Sequence, residues 1–104
     1  MIRKAFLMKL HHGNQEEYQQ RHNPIWKALE DTLKTHGVNH YSIFLNRQTD
    51  ELFAYVEIES EQLWNQIADT EVCRHWWDYM KPLMLTNPDN SPFTIALDEV
   101  FHLD

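Results

Sequence analysis

The first stretch of the chain alternates apolar and polar side chains, the pattern of a β-strand with one buried face. In residues 2–10 four apolar side chains share one face, while Ala5 and Leu7 lie on the other. The four are Ile2, Phe6, Met8 and Leu10. The segment HHGN then breaks the alternation, so we predict a strand over 2–10.

After this strand the apolar side chains recur at the spacing of an amphipathic helix. Asn14, with Glu17 three residues later, resembles a capping box at its start. Gly37 supplies the left-handed residue on which helices commonly end. Pro24 lacks an N–H for the carbonyl four residues earlier, so we predict a kink or restart there, with Asn23 as a local cap.

Alternation returns in residues 38–45 and 52–58, which are separated by the turn-forming segment NRQTDE. The two stretches predict a β-hairpin. Near the C-terminus, TNPDNSPF (86–93) contains two prolines and predicts a long loop. We expect ALDEVFHLD (96–104) to form the last strand.

Between the hairpin and that loop, helical spacing predicts helices over about 61–69 and 71–81. Ser60 and Thr70 are suitable N-caps for the two helices, and Pro82 ends the second. The order of elements is then β-α-β-β-α-β. This order predicts a ferredoxin-like α+β fold, a four-stranded antiparallel sheet with its helices on one face.

The predicted strands carry apolar side chains on both faces. In 52–58, Phe53 and Tyr55 oppose Leu52, Ala54 and Val56. A sheet that is apolar on both sides needs a second cover besides its own helices. We therefore predict a homodimer in which two sheets face each other, as in the dimeric α+β barrels, with residues 1–104 as one domain.

Composition and charge narrow the function classes. The chain has 104 residues, a formal net charge of −7 and one cysteine, Cys73. The acidic balance disfavours nucleic acid and anionic membranes as partners, because both attract basic surfaces. No apolar run is long enough to span a membrane. A single cysteine forms no intrachain disulfide, so we expect a cytoplasmic location.

One histidine occupies a position where the first helix should be apolar. His22 lies in the apolar stripe of that helix, next to the break at Pro24. The stripe consists of Tyr18, His22, Ile25, Leu29 and Leu33, with Trp26 beside it. Taken alone, an inward histidine is more often a core residue satisfied by one hydrogen bond. A polar cavity at the break, with Tyr18 and Tyr41 nearby, is the functional alternative.

The second helical region carries two adjacent tryptophans, Trp76 and Trp77, within VCRHWWDYM. A wide aromatic face is more often core than pocket. Flat indole rings also pack well on the C–H surface of a pyranose, whose oxygens tyrosine hydroxyls and an imidazole can reach. The pair is thus compatible with a sugar site as well as with a core.

The remaining polar side chains give weaker signals. The seven histidines form no HExxH motif and no metal-binding cluster is apparent, so we expect no metal and no cofactor. We interpret His75 as a surface histidine and the lone Cys73 as core packing. Asp89 could reach into a pocket, but a role as a turn-former is the more frequent one.

The segments RHNPIW, TEVCRHWWDYM and NPDNSP, in this order, resemble those of the L-rhamnose mutarotase family, and the resemblance runs from MIRKAF to EVFHL. It implies a dimeric α+β barrel that interconverts the α and β pyranose anomers of L-rhamnose. It also implies a proton-donating histidine at His22 and sugar-binding residues at Tyr18, Tyr41, Trp76 and Trp77.

Mutarotation requires proton exchange but neither redox chemistry nor a metal. We hypothesise that protonated His22 delivers a proton to the ring oxygen, and that a tyrosine hydroxyl or water accepts and returns the proton of O1.

Two rival functions remain for such a fold. One is a cofactor-independent oxygenase with an aromatic substrate in the same cavity, and the other is a non-catalytic module that binds a small ligand.

Overall fold

The computed structural model describes all 104 residues. The predicted β-α-β-β-α-β order is confirmed, with each helical region divided into two helices. The elements are β1 (Ile2–Lys9), α1 (Gln15–Arg21), α2 (Lys27–Thr35), β2 (Val38–Asn46), β3 (Glu51–Ile58), α3 (Glu61–Ile67), α4 (Glu71–Met80) and β4 (Ile95–Leu97). A short 3₁₀ turn, Lys81–Leu83, follows α4 and contains Pro82.

The four strands form one antiparallel sheet in the order β2-β3-β1-β4. This is the strand order of the ferredoxin-like fold, in which each helical connection crosses over one strand. In β1 and β3, Phe6 lies opposite Ala54 and Leu7 opposite Phe53. The two central strands therefore present matching side chains to each face of the sheet.

The two faces of the sheet differ in how they are covered. On β3, Leu52, Ala54, Val56 and Ile58 are at most 1% exposed and belong to the buried core. The alternate residues lie on the opposite face, which no helix covers, and several of its large apolar side chains are exposed. Among these, Phe44 is 64%, Phe53 40% and Ile95 53% exposed. The prediction of a sheet with two apolar faces is confirmed.

The first helical region restarts as predicted, and Asn14 is the N-cap residue of α1, but neither Asn14 nor Asn23 caps a helix start with its side chain. Between α1 and α2 lies a cis peptide bond, Asn23–Pro24. Asn14 holds the N-cap position of α1, where its main-chain oxygen accepts from the N–H of Tyr18 at 3.0 Å, but its side chain donates to the carbonyl of His11 at 3.2 Å and does not cap the helix. The Asn23 side chain donates back to the carbonyl of Gln19 at 2.7 Å, so it binds the end of α1 and not the start of α2.

The other predicted helix termini are confirmed. Ser60 Oγ accepts a hydrogen bond from the backbone N–H of Leu63 at 3.2 Å, and Thr70 Oγ1 accepts one from Cys73 at 3.4 Å. Gly37 follows α2 with φ +83°, in the left-handed region that glycine enters without steric cost.

The predicted final strand is too long. β4 comprises only Ile95–Leu97, and residues 98–104 have no regular structure. After Leu97 come two consecutive carboxylates, Asp98 and Glu99, which break the alternation. The Glu99 carboxylate accepts two hydrogen bonds from the Arg3 guanidinium of β1, both 2.8 Å, so side chains and not the backbone join this segment to the sheet. None of the helices is long and apolar enough to cross a membrane.

Candidate active site

A cavity of about 1010 Å³ lies between the helices and the covered face of the sheet. The structure brings all five residues of the predicted site to its wall. These are Tyr18 and His22 from α1 and its end, Tyr41 from β2, and Trp76 and Trp77 from α4. Three separate stretches of the chain therefore converge on one cavity, and the order of the elements along the sequence does not reveal this.

His22 occupies the end of α1, where the helix stops just before Pro24. Its Nδ1 donates to the main-chain oxygen of Tyr18 at 2.9 Å. Its ring lies 4.4 Å from the Tyr18 ring and meets the Trp76 ring edge-on at 5.1 Å, measured between centroids. A carbonyl oxygen accepts hydrogen bonds only, so Nδ1 carries a proton and Nε2 is the nitrogen left for exchange.

The surroundings of His22 favour its neutral form. Desolvation among the aromatic rings lowers the pKa of His22 below its ordinary value of 6.5, and the hydrogen bond to Tyr18 opposes this in part. At neutral pH the resting imidazole is therefore mostly uncharged, with a lone pair on Nε2. A neutral imidazole accepts a proton before it donates one, which is the reverse of the order in the hypothesis drawn from the sequence.

The two tyrosines of the site differ in exposure, but the pKa of both is raised. Tyr18 is 7% exposed and Tyr41 is 36% exposed. Tyr41 lies opposite Val56 in the sheet, so its side chain projects from the face that the helices cover. Desolvation raises the pKa of Tyr18 and of Tyr41 above the ordinary value of 10.0, so both hydroxyls remain protonated donors.

The two tryptophans are not equivalent. Trp76 is 9% exposed, and its ring packs edge-on against Trp26 at 5.0 Å and at a tilt of 54° against Tyr79 at 5.6 Å. Trp77 is only partly buried and packs against the core from α4. Trp76 thus serves the core as well as the cavity wall, and Trp77 leaves more of its surface for a ligand.

Sequence reasoning missed a further aromatic group at another part of the cavity. Trp64 on α3 lies 6.0 Å from Tyr41 and 6.4 Å from Phe6, between ring centroids, and both Phe6 and Trp64 line the cavity. The signal was present, because Trp64 and Ile67 share one face of α3. The spacing identified a buried helix face, but only the packing showed that this face borders the cavity.

The loop after the 3₁₀ turn also borders the cavity. Asp89 accepts a hydrogen bond from the backbone N–H of Ser91 at 3.0 Å and another from its hydroxyl, so its role as a turn-former is confirmed. Asn90 has φ +73° and donates to the Asp78 carboxylate at 2.8 Å, which attaches the loop to α4 beside Trp77. Asn87 and Asp89 face the cavity as well.

The remaining polar candidates lie outside the site or are inert. His75 is exposed and lies 3.8 Å from the carboxylate of Glu71, so its interpretation as a surface histidine is confirmed. Cys73 is buried, and burial raises the pKa of its thiol to about 11. No group of three histidine, cysteine or acidic side chains lies close enough together to hold a metal ion.

Fold and cavity together define a ferredoxin-like α+β protein with an aromatic pocket and one desolvated imidazole. A family model described as L-rhamnose mutarotase matches residues 3–103. The chain belongs to the L-rhamnose mutarotase family, and as a member it is a carbohydrate isomerase. The resemblance seen in the sequence motifs is thereby confirmed.

Individual relatives agree with this assignment. The L-rhamnose mutarotase of Tolumonas auensis is 58% identical over 103 residues, 99% of each chain. That of Pectobacterium atrosepticum is 56% identical over the full length of both. The crystal structure of an L-rhamnose mutarotase from Formosa agariphila superposes with a TM-score of 0.92 at 40% identity, over 100% of both chains.

More distant structures share only the fold. A putative antibiotic biosynthesis monooxygenase from Nitrosomonas europaea has a TM-score of 0.65 at 10% identity, over 97% of this chain and all of the other. A dimeric ferredoxin-like protein from an uncultured marine organism has a TM-score of 0.59 at 14% identity, over 97% of this chain and 96% of the other. Such low identities show a common architecture and do not extend oxygenase chemistry to this cavity.

Proposed function

We propose that the protein interconverts the α and β pyranose anomers of L-rhamnose in this cavity, with His22 as the group that exchanges protons. The observation that carries the proposal is the fixed tautomer of His22. Its Nδ1 is bonded to the Tyr18 carbonyl at 2.9 Å, and Nε2 is left to meet a ligand among aromatic walls. An imidazole so held both accepts and donates a proton near neutral pH.

The reaction needs one proton to leave O1 and one to reach the ring oxygen O5. Neutral His22 accepts the O1 proton at Nε2 and then donates that proton to O5. The C1–O5 bond breaks as the C1–O1 double bond forms, which gives the open-chain aldehyde. Both oxygens are bonded to C1, so one nitrogen reaches either of them with little movement.

Ring closure reverses these steps on the other face of the aldehyde. Rotation about the C1–C2 bond presents the second face of C1, the O5 hydroxyl attacks it, and His22 returns the proton from O5 to O1. The imidazole ends in its starting state, and no cofactor is consumed. Positioned acid–base catalysis of this kind contributes about 10²–10⁴-fold, which suffices for a reaction that water already supports.

The other side chains of the site bind and orient the sugar. The protonated hydroxyls of Tyr18 and Tyr41 donate to sugar oxygens, since their pKa values are raised well above neutrality. Trp77 and the accessible edge of Trp76 pack on the C–H surface of the ring and retain the open form. Holding the aldehyde while C1 rotates is what distinguishes isomerisation from release of the open chain.

Exchange NMR of L-rhamnose tests the proposal directly. Saturation of the α anomeric proton should transfer to the β signal faster when catalytic amounts of protein are present. The sugars L-fucose and D-ribose serve as comparison substrates. An exchange rate equal to that of the sugar in buffer alone would refute the proposal, and oxygen consumption with an aromatic substrate would favour the oxygenase alternative.

We also propose that the working form is a homodimer joined through the open sheet face. Phe44, Phe53 and Ile95 expose 64%, 40% and 53% of their surfaces on that face. Such a cluster of large apolar side chains marks an interaction surface, and a second copy supplies a complementary one. A solved protein with the same ferredoxin-like fold is described as dimeric, which supports a dimer here.

A cytoplasmic location and a single domain over 1–104 complete the proposal. The only cysteine, Cys73, is buried and free, which is compatible with a reducing compartment. L-rhamnose and a second copy of the chain are the proposed partners.

A further inference from the structure

Arg21 is the last residue of α1 and immediately precedes His22. Its side chain is 20% exposed, and it makes contacts with two helices. Within α1 its Nε donates to the Glu17 carboxylate at 2.8 Å. Toward α4 its Nη1 donates to the main-chain oxygen of Tyr79, and its guanidinium lies 4.2 Å from the centre of the Tyr79 ring.

The contacts with α4 match the chemistry of that helix end. Tyr79 is the next-to-last residue of α4, and the last carbonyls of a helix lack regular intrahelical donors. The C-terminal end of a helix also carries a partial negative charge, which a cation stabilises. A planar guanidinium can bond a carbonyl and stack on an aromatic ring at the same time, which an ammonium does less well.

The start of α1 is held by Gln15, which donates to the main-chain oxygen of Arg47 at 2.9 Å and to the Asp50 carboxylate at 2.8 Å, but few contacts hold its other end. The helix has seven residues, and Tyr18 is its only buried residue. His22 lies beyond its last helical residue, where its N–H bonds to the carbonyl of Gln19 at 3.2 Å. The hydrophobic packing of one side chain leaves the end of so short a helix weakly fixed, so the link to Tyr79 carries much of the positioning.

The same two helix segments hold the site. Tyr79 lies one turn after Trp76 on α4, and the rings of His22 and Trp76 meet edge-on at 5.1 Å. We infer that Arg21 is a positioning residue, which holds the end of α1 against the C-terminal end of α4 and so sets His22 against Trp76. The inference rests on the proposed role of His22, and it adds a residue that never touches the sugar.

Arg21→Gln tests the inference, with kinetics and NMR read on the same sample. We expect kcat for anomer exchange to fall about tenfold while KM changes less than twofold, because misplacement of a catalytic group costs turnover more than binding. The ring protons of His22, shifted by the Tyr18 and Trp76 rings, should move toward the values of an exposed histidine. Arg21→Lys keeps the positive charge but lacks the planar guanidinium group, so it should restore part of kcat and part of the ring-proton shifts.

Glu17→Gln is the matched control, since it removes the ion pair within α1 and leaves the contacts with Tyr79. It should behave like the unmodified protein in both measurements. Should Arg21→Gln fail to fold, Tyr79→Leu tests the link from the other side, because it removes the ring beneath the guanidinium. A loss of kcat and shift changes in the same direction, but smaller, are then expected, because the bond to the main-chain oxygen of residue 79 remains.

Unchanged His22 ring-proton shifts in a folded Arg21→Gln or Tyr79→Leu variant would overturn the inference, whatever the kinetics. A loss in Glu17→Gln as large as in Arg21→Gln would also overturn it, since the contacts with α4 would then not be the cause. The NMR measurement needs no sugar, so a failure of the proposed mutarotase activity would be recognised separately.

Discussion

The Nδ1 nitrogen of His22 and the main-chain oxygen of Tyr18 lie 2.9 Å apart, one helical turn from each other along α1. A helix normally offers that carbonyl to the backbone N–H four residues later. Here the helix ends, the N–H of His22 bonds to Gln19 instead, and the imidazole takes the free carbonyl. The termination of α1 is thus what selects the tautomer of His22.

Replacement of His22 should abolish most of the catalysis. In His22→Asn the amide can still donate to the Tyr18 carbonyl, but no titratable nitrogen remains to exchange protons. We expect the rate of L-rhamnose anomer exchange to fall by about 10²–10⁴-fold, to near the rate in buffer. His75→Asn, which removes an exposed histidine of α4, should leave the rate unchanged, and equal losses in both variants would argue against a specific role for His22.

The pH dependence should reveal which form of His22 begins the reaction. Its pKa is lowered below 6.5, so protonation below that folded-state pKa removes the accepting lone pair. After subtraction of the rate in buffer, kcat/KM should therefore be flat around neutrality and decrease on acidification, with a midpoint below 6.5. A kcat/KM that increases on acidification would show instead that the protonated imidazole starts the reaction.

The lowered pKa of His22 also makes the stability of the fold depend on pH. The unfolded chain binds a proton at His22 near pH 6.5, whereas the folded chain resists it until a lower pH. Neutral His22 therefore makes its full contribution to the free energy of unfolding above pH 6.5. That contribution decreases as the pH falls from 6.5 to the lower pKa of the folded chain. Denaturation by urea at several pH values should show a smaller decrease below 6.5 for His22→Asn than for the unmodified protein.

Loss of the Tyr41 hydroxyl should weaken sugar binding. Tyr41→Phe removes one donor on the cavity side of β2, and an ordinary hydrogen bond contributes about 0.5–1.5 kcal/mol, or roughly 2–12-fold in KM. Tyr55→Phe is the matched control, because Tyr55 lies on the opposite face of the sheet, where its hydroxyl donates to Glu57 at 3.1 Å. A KM raised equally by both changes would place Tyr41 outside the binding site.

A charge on the open face of the sheet should separate the proposed dimer. Phe53→Lys inserts an ammonium at the centre of the exposed apolar cluster, and burying an unpaired charge is strongly unfavourable. Light scattering should give twice the monomer mass for the unmodified protein and the monomer mass for this variant. Ala28→Lys, on the exposed surface of α2, should remain dimeric; a monomeric unmodified protein would exclude the dimer.

The two glycines with positive φ should respond differently to alanine. At Gly37, with φ +83°, an added Cβ would lie 3.1 Å from the Cβ of Glu59, whereas at Gly13, with φ +90°, nothing lies within 4 Å. Backbone strain alone costs about 1–2 kcal/mol at either position. Gly37→Ala should therefore lower the free energy of unfolding, measured in urea, by more than Gly13→Ala does. Equal decreases for the two variants would show that the Glu59 side chain moves away from the added Cβ.

Much of the fold could be predicted from the sequence, because local patterns encode it. The alternation of side chains between two sides in residues 52–58 predicted a strand with two apolar faces. Ser60, Thr70 and Gly37 marked helix ends, because these residue types favour the conformations found there. The side-chain caps predicted at Asn14 and Asn23 were wrong because an asparagine side chain bonds nearby carbonyls as readily as helix N–H groups. The C-terminal strand was overextended because apolar residues after Glu99 resembled a strand that has no partner beyond Leu97.

The sequence by itself determined the element order and the family motifs, since these depend on residue types and spacing along the chain, and the family resemblance predicted the five site residues. Only the tertiary structure decided that Tyr41 faces the helices, that Trp64 borders the same cavity, and that Arg21 joins two helices. Burial in that structure also lowers the pKa of His22. Desolvation and contacts between distant segments depend on packing in three dimensions, and no local spacing contains them.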